Sequence, residues 1–398
     1  MFWDTCNSVM VSGGNDPYST WGVRAKGIRM VFGYETIRLT ARITANIFGK
    51  NGTKGKSLST AFLDASWRIN NTNQSPAVVA FGANQTEASD RLYNERFLYA
   101  GAAANNWGQW RWYYARSAAS GKGISVDARA ARQTQGQHET LTIPTESRIR
   151  QVAQQSNSND EVMELSRSLG IELEDSNLIQ DRPLGLRAIK ANNATLVVEQ
   201  NGNFELMMEA NPDLPTRDDE IADDEFINRA NDLAAQLSVL AGQDYRVNMI
   251  RDTKESGGFE GFTAPTRTVE KTIIIDQTID GVSFIDPEAG HLEITFDARN
   301  GQTTRVRSTL RRLTATVEDN TPTAPLSLDQ VRQNALQRAG VSAKLNATQA
   351  LEVVPETEAV GYQMIDGQAV PVYRTLIQDP NFELGRPQLV TIPLIKKN

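Results

Sequence analysis

The sequence predicts an α/β domain followed by α+β modules with antiparallel sheets. Three patterns carry that prediction. Short continuous apolar runs alternate with amphipathic helical stretches over residues 1–117, the pattern of a sheet covered on both faces. A Gly/Ser/Ala/Arg/Gln-rich stretch follows at 118–140 and reads as a linker. Beyond it, a helix followed by antiparallel strands occurs twice, at 216–320 and at 321–398.

The front segment opens with an apolar run, Met1–Trp3, followed by Asp4-Thr5-Cys6-Asn7-Ser8 and the loop Gly13-Gly14-Asn15-Asp16-Pro17. A second run, Ile28–Phe32, is closed by Gly33. Leu39, Ile43 and Ile47 recur at about one helical turn and predict a helix over 39–48. The next helix is predicted over Ser57–Asn70. Ser57 is its cap, and Leu58, Ala61, Phe62, Ala65 and Ile69 form one apolar face. Pro76 then leads a strand, Ala77–Phe81, expected beside Ile28–Phe32 in a mostly parallel sheet.

Residues 141–215 read as a connecting segment. It holds a helical tendency over Thr145–Gly170, with Val162, Leu165 and Leu169 about one turn apart, and a hairpin, Thr195–Glu199 with Phe204–Met208, turning at Asn201-Gly202. In the next module the helix Phe226–Leu240 precedes strands Tyr245–Arg251, Thr268–Gln277 and Gly281–Ile285, then a hairpin turning at Asn300-Gly301. In the last, Ser327-Leu328-Asp329-Gln330 is a capping box for a helix reaching Ala339. Strands 350–354, 359–364, 370–377 and 389–394 follow it.

Composition narrows the function. The chain has 398 residues, 39% hydrophobic and 22% charged, with a net charge of −7. That charge argues against a nucleic-acid partner, because phosphate contacts need a basic face. No apolar run is long enough to span a bilayer. One cysteine excludes an internal disulfide and a cysteine-rich zinc site, and no cofactor or metal motif stands out. Met1 is not followed by the basic and apolar regions of a signal peptide.

Cys6 is the one candidate catalytic residue. On a loop after a strand, a cysteine with a base nearby can act as a nucleophile; equally, it can be a small buried hydrophobe. The aromatics of 90–114, among them Tyr93, Phe97, Trp107, Trp110 and Trp112, stand near Asn105, Asn106 and Gln109. They read either as a cluster closing the domain or as a platform for sugar or peptide. Six acidic residues in 217–225 read as a helix N-terminus rather than a calcium loop, since the EF-hand glycine and spacing are absent.

The order Asp4-Thr5-Cys6-Asn7-Ser8, strand Gly27–Gly33, then Gly55-Lys56-Ser57 opening a helix with Ala61 and Ala65, resembles the second half of a caspase-like (clan CD) domain. It looks most like an uncharacterised bacterial family of that type, and less closely like the CHAT and gingipain groups. The resemblance covers roughly residues 1–100. It implies a partial three-layer α/β domain with Cys6 as a cysteine-peptidase nucleophile. The family places its catalytic histidine in a His-Gly pair upstream of the cysteine strand. Neither His138 nor His291 is followed by glycine. The expectation is a chain truncated before its histidine and inactive as given, whose full-length form, with a leader, would be secreted or held in the cell envelope. Thr278–Phe284 with Leu292–Phe296 and the turn Arg299-Asn300-Gly301 resemble PepSY-like or protease-propeptide modules. The competing expectation is a non-catalytic secreted binding or scaffold protein whose α+β modules hold a peptide or protein partner.

Overall fold

The structure is a computed structural model. It describes residues 8–117 except 12–14, 23–26, 36–47, 50, 53, 68–74 and 98–100, and residues 141–395 except 142, 144–148, 154–157, 172–179, 183–184, 192, 210–220, 238–242, 317–325, 344–350 and 379–387. Cys6, the run Met1–Trp3, nearly all of the helix expected at 39–48, the 118–140 linker and His138 lie outside the described residues.

Helices and strands are mixed, and both sheets are antiparallel, as the sequence predicts for the later modules. The front contributes β1 (Met30–Tyr34), α1 (Leu58–Trp67), β2 (Pro76–Gly82), α2 (Gln85–Asn94) and β3 (Trp107–Ser117). Next come β4 (Arg150–Val152), α3 (Asn159–Ser168), β5 (Gln180–Arg182), β6 (Leu186–Lys190), β7 (Ala194–Val198) and β8 (Phe204–Met208). The middle holds α4 (Asp223–Gln236), β9 (Asp244–Phe259), β10 (Phe262–Thr263), β11 (Arg267–Ile279), β12 (Val282–Ser283), β13 (His291–Asp297) and β14 (Thr303–Ser308). The last part is β15 (Leu313–Thr316), α5 (Leu328–Ala343), β16 (Glu352–Val353), β17 (Ala359–Ile365), β18 (Gln368–Gln378) and β19 (Gln388–Pro393).

Among the described residues, thirteen strands form one sheet, ordered β1-β2-β3-β9-β11-β13-β14-β8-β7-β6-β5, with β10 on β9 and β12 on β11. Six form a second, with β18 at its centre and α5 across it. Two expectations are corrected here. The strands at 30–34 and 76–82 are neighbours, but they pair antiparallel, Met30 with Ala80 and Tyr34 with Pro76. Both are buried along their whole length. The face bearing Phe32 and Val78 meets α1; the face bearing Val31 and Val79 meets Val9, Val11 and Tyr18. Two covered faces make an apolar run continuous whatever the strand direction, so the run alone could not specify parallel pairing. The front is also not a sheet of its own. β3 pairs with β9 over ten residues, from Gly108 with Gly258 to Ser117 with Met249, so the sheet crosses the boundary placed at 118–140.

The helical tendency expected over 145–170 is corrected too: Asn159–Ser168 is a helix, but Arg150–Val152 is a strand held between two others of the second sheet, where pairing overrides local helical spacing. Other local expectations fare better. Thr60 N–H donates to Ser57 Oγ at 3.3 Å, the predicted cap of α1. Ser327 and Gln330 cap α5 reciprocally, backbone to side chain, at 2.9 and 3.3 Å. Asn201-Gly202 and Asn300-Gly301 turn β7 into β8 and β13 into β14, with Gly202 and Gly301 at φ +81° and +72°. The aromatic stretch at 90–114, for which no secondary structure is predicted from the sequence, contributes where it is described the end of α2 and most of β3. α4 lays Phe226, Ala230 and Ala234 on the sheet; the Phe226 ring lies 5.4 Å from that of Phe296, centroid to centroid. Burying one such ring stabilises the fold by about 2–3 kcal/mol.

Candidate functional site

Alternate residues of β9, namely Arg251, Thr253 and Glu255, share the sheet face covered by α1 and α2. Tyr113, Arg111 and Gln109 of β3 lie on the same face. Along this face run two polar clusters.

The first surrounds Glu255, which is buried. Gln109 Nε2 donates to its Oε1 at 2.6 Å, Arg267 Nη2 donates to the same oxygen at 2.9 Å, and Tyr93 Oη donates to Oε2. Burial raises the Glu255 carboxyl above the ordinary range; the bond and charge of Arg267 oppose this without cancelling it, and nearby Glu270 adds to the rise. Trp107 Nε1 donates to Gln109 Oε1 at 3.2 Å, which orients the glutamine amide toward Glu255. Gly257 makes the arrangement possible: a Cβ there would sit 2.2 Å from Gln109 Oε1.

Trp107 connects this cluster to the surface. Its ring lies 5.5 Å from Phe259 and 6.2 Å from Phe262, which stack on each other at 5.2 Å and 25°. The two phenylalanines flank the turn between β9 and β10, and they are 43% and 45% exposed. Exposed apolar side chains that pack on each other form a patch rather than isolated surface residues. Tyr93, which donates to Glu255, is 40% exposed, and Arg111 lies 5.2 Å above its ring.

The second cluster is centred on Asp64 of α1, which is buried. Lys56 Nζ donates to its Oδ2 at 2.7 Å and Tyr113 Oη to its Oδ1 at 2.7 Å; Arg305 reaches both oxygens at 2.9 and 3.3 Å. Lys56 Nζ also lies 2.6 Å from Glu205 Oε1. Neither Glu205 oxygen receives a well-directed hydrogen bond among the described residues, so its hold on Lys56 is Coulombic. Arg251 pairs with Glu293 at 3.2 Å and Arg307 with the same residue at 2.5 Å. The Arg251 guanidinium lies 4.2 Å from the Tyr113 ring centroid.

The chemistry of this second cluster is static. Burial opposes ionisation of Asp64, but Arg305, Lys56 and Arg251 outweigh it and hold the carboxyl well below the usual range. Burial likewise opposes Glu205, and Lys56, Lys54 and Arg305 bring it down to about 2. Carboxylates held so far below neutral pH are poor general bases. Burial, then the charge of Asp64, pushes the Tyr113 phenol far above its ordinary value. The cluster ties α1 to six strands (β3, β9, β11, β13, β14 and β8), since Arg251 also donates to Thr272, whose hydroxyl meets that of Thr295 at 3.0 Å.

Of the two histidines, His291 is the one described. Its Nδ1 lies 2.9 Å from Asp276 Oδ1 and its Nε2 lies 2.8 Å from the Asp286 carbonyl. Both ring nitrogens are thus engaged, and neither is free to serve Cys6 as a base. The acidic stretch at 217–225 behaves as a helix start where it is described. Asp223 pairs with Lys271 at 2.8 Å and Glu225 with Arg229 at 2.6 Å. Among the described residues no group of three or more His, Cys, Asp or Glu is placed to hold a metal ion, and no helix is long and apolar enough to cross a membrane.

Sequence reasoning found Trp107, Tyr93 and Gln109 but not their partners. Phe259, Phe262, Glu255 and Arg267 come from a hairpin about 150 residues further on. The available signal was the motif Phe259-Glu260-Gly261-Phe262, a glycine turn flanked by two aromatics.

The fold and site define a class: a mixed α and β protein built on antiparallel sheets, with an exposed aromatic strip backed by a buried, hydrogen-bonded carboxyl. Compared with known proteins, the chain matches no family model and no curated relative.

Proposed function

We propose that this chain is a non-catalytic binding protein that holds a peptide or protein partner on the strip formed by Trp107, Phe259 and Phe262. The observation that carries the reading is the packing of these three rings on each other at a hairpin tip while both phenylalanines remain nearly half exposed. Aromatic side chains supply large contact area at low entropic cost and dominate binding energy where they cluster. Arg267, which holds Glu255 and whose side chain is 63% exposed, supplies donors for backbone carbonyls of the partner. The commitment of His291 to Asp276 and Asp286 supports binding over peptidase chemistry.

The test is selection of peptides from a displayed library on the immobilised chain, followed by affinity measurement. A Phe259→Ser/Phe262→Ser double variant should weaken the selected peptides by about tenfold or more, the scale of an anchor residue, with thermal stability little changed. Selected peptides that bind the double variant equally well would refute the reading. Cleavage of peptides by this chain, lost on Cys6→Ala, would favour the caspase-like cysteine-peptidase alternative.

A further inference from the structure

The loop from Phe284 to Gly290 joins the two sheets, and His291 stands where it re-enters the first. On the side of the second sheet, Ile285 N–H donates to Tyr362 O at 2.9 Å, Met364 N–H donates to Asp286 Oδ2 at 3.0 Å, and Arg374 donates to Ile285 O. Phe284 packs with Tyr362 and Ala369 in an apolar cluster spanning both sheets. Gly290, at φ +81°, lies so close to Phe284 that a Cβ would fall 2.3 Å from its ring. On the side of the first sheet, the Asp286 carbonyl is met by His291 Nε2 at 2.8 Å, while Nδ1 meets Asp276 at 2.9 Å. Asn248 Nδ2 donates to the other Asp276 oxygen at 2.7 Å and so holds that carboxylate in place.

A carbonyl and a carboxylate only accept. Both ring nitrogens can donate at once only when the imidazole is protonated. A neutral ring must turn one lone pair toward an acceptor, and the carbonyl is the weaker of the two competitors for the remaining proton.

We propose that His291 is a pH-sensitive clasp: as an imidazolium it pins the Asp286 loop and thereby the second sheet to the first, and loss of its proton to solvent releases that contact. The groups facing the ring and its loop support a charged histidine. Asp276 of β11, Glu293 of β13, and Asp286 and Glu288 of the loop are acidic; Arg311, which donates to Glu288 O at 2.8 Å, and Arg374 of β18 are the cations beside the loop; Arg246 of β9 pairs in register with Asp276, and Tyr362 of β17 faces Phe284. Burial lowers the affinity of His291 for its proton, but the hydrogen bond and charge of Asp276, with the Asp286 carbonyl, outweigh it, and the net direction is upward. A raised value means the contact is fully present below the ordinary histidine pKa and is lost as pH rises through the folded one.

The experiment uses the full chain and two readouts across pH. Nitrogen-15 NMR of labelled histidine follows His291, with His138→Gln assigning its signal. Hydrogen exchange, corrected for intrinsic rate, follows the peptides holding Ile285 and Met364, with β2 as the internal control. Opening should increase about tenfold for each unit by which the folded His291 value exceeds the ordinary one, then level off, while β2 stays unchanged. In His291→Gln the same peptides should exchange without a midpoint in this range. The proposal is overturned if His291 titrates with no change in exchange, if exchange changes with a different midpoint, or if the midpoint survives in His291→Gln. The paired wild-type readouts decide the matter even if the variant does not fold.

Discussion

Glu205→Gln probes the buried charge cluster most directly. Glutamine keeps the size and shape of the side chain and removes only the charge that faces Lys56 at 2.6 Å. The folded value of Glu205 is about 2, against an ordinary value of 4.5. Each unit corresponds to 1.36 kcal/mol, so the depression amounts to about 3 kcal/mol at neutral pH. Breaking a buried pair by removing one partner costs about 3–5 kcal/mol, a range that agrees. A depressed carboxyl contributes stability above its ordinary value and loses it as pH falls through the folded one. The wild type should therefore lose this contribution between about pH 5 and pH 2, whereas Glu205→Gln should start about 3 kcal/mol lower and show a flatter profile over that window. Urea unfolding at a series of pH values measures both, followed by the fluorescence of Trp67, Trp110 and Trp112, which lie in the cores of the same sheet. A variant as stable as wild type at pH 7, or one with the same acid slope, would refute the view that Lys56 holds Glu205 ionised.

Gly257→Ala should push Gln109 away from Glu255, because the new Cβ would meet Gln109 Oε1 at 2.2 Å. Overpacking of this kind costs about 1–3 kcal/mol, and Gln109→Ala in the same chain should recover part of it, as thermal denaturation would register. Cys6 should react with iodoacetamide no faster than a free thiol, since His291 has both nitrogens engaged and a base must reach the proton at about 3 Å to matter. Rapid alkylation that disappears on His138→Ala would overturn that expectation.

Much of the local structure was legible in the sequence. The spacing of Leu58, Ala61, Phe62 and Ala65 placed α1, and Ser57 and Ser327 marked helix starts, because a cap acts over three or four residues of the same chain. Asn201-Gly202 and Asn300-Gly301 placed two hairpins, because a left-handed backbone conformation in a tight turn is a property of the residues that adopt it. What the sequence by itself determined is thus the order and type of most elements. Only the tertiary structure decided which strands pair. The apolar run Met30–Tyr34 is equally compatible with either strand direction, and the pairing of β3 with β9 joins residues about 140 apart. It is that pairing which brings Trp107 to Phe259 and Phe262, Gln109 to Glu255, and Tyr113 to Arg251. Asp64 shows the same limit from the other side. On a helix mostly buried by its neighbours, a carboxylate is tolerated only because Lys56, Tyr113 and Arg305 converge on it. Arg305 stands 241 positions further along the chain, where no local pattern can announce the partnership.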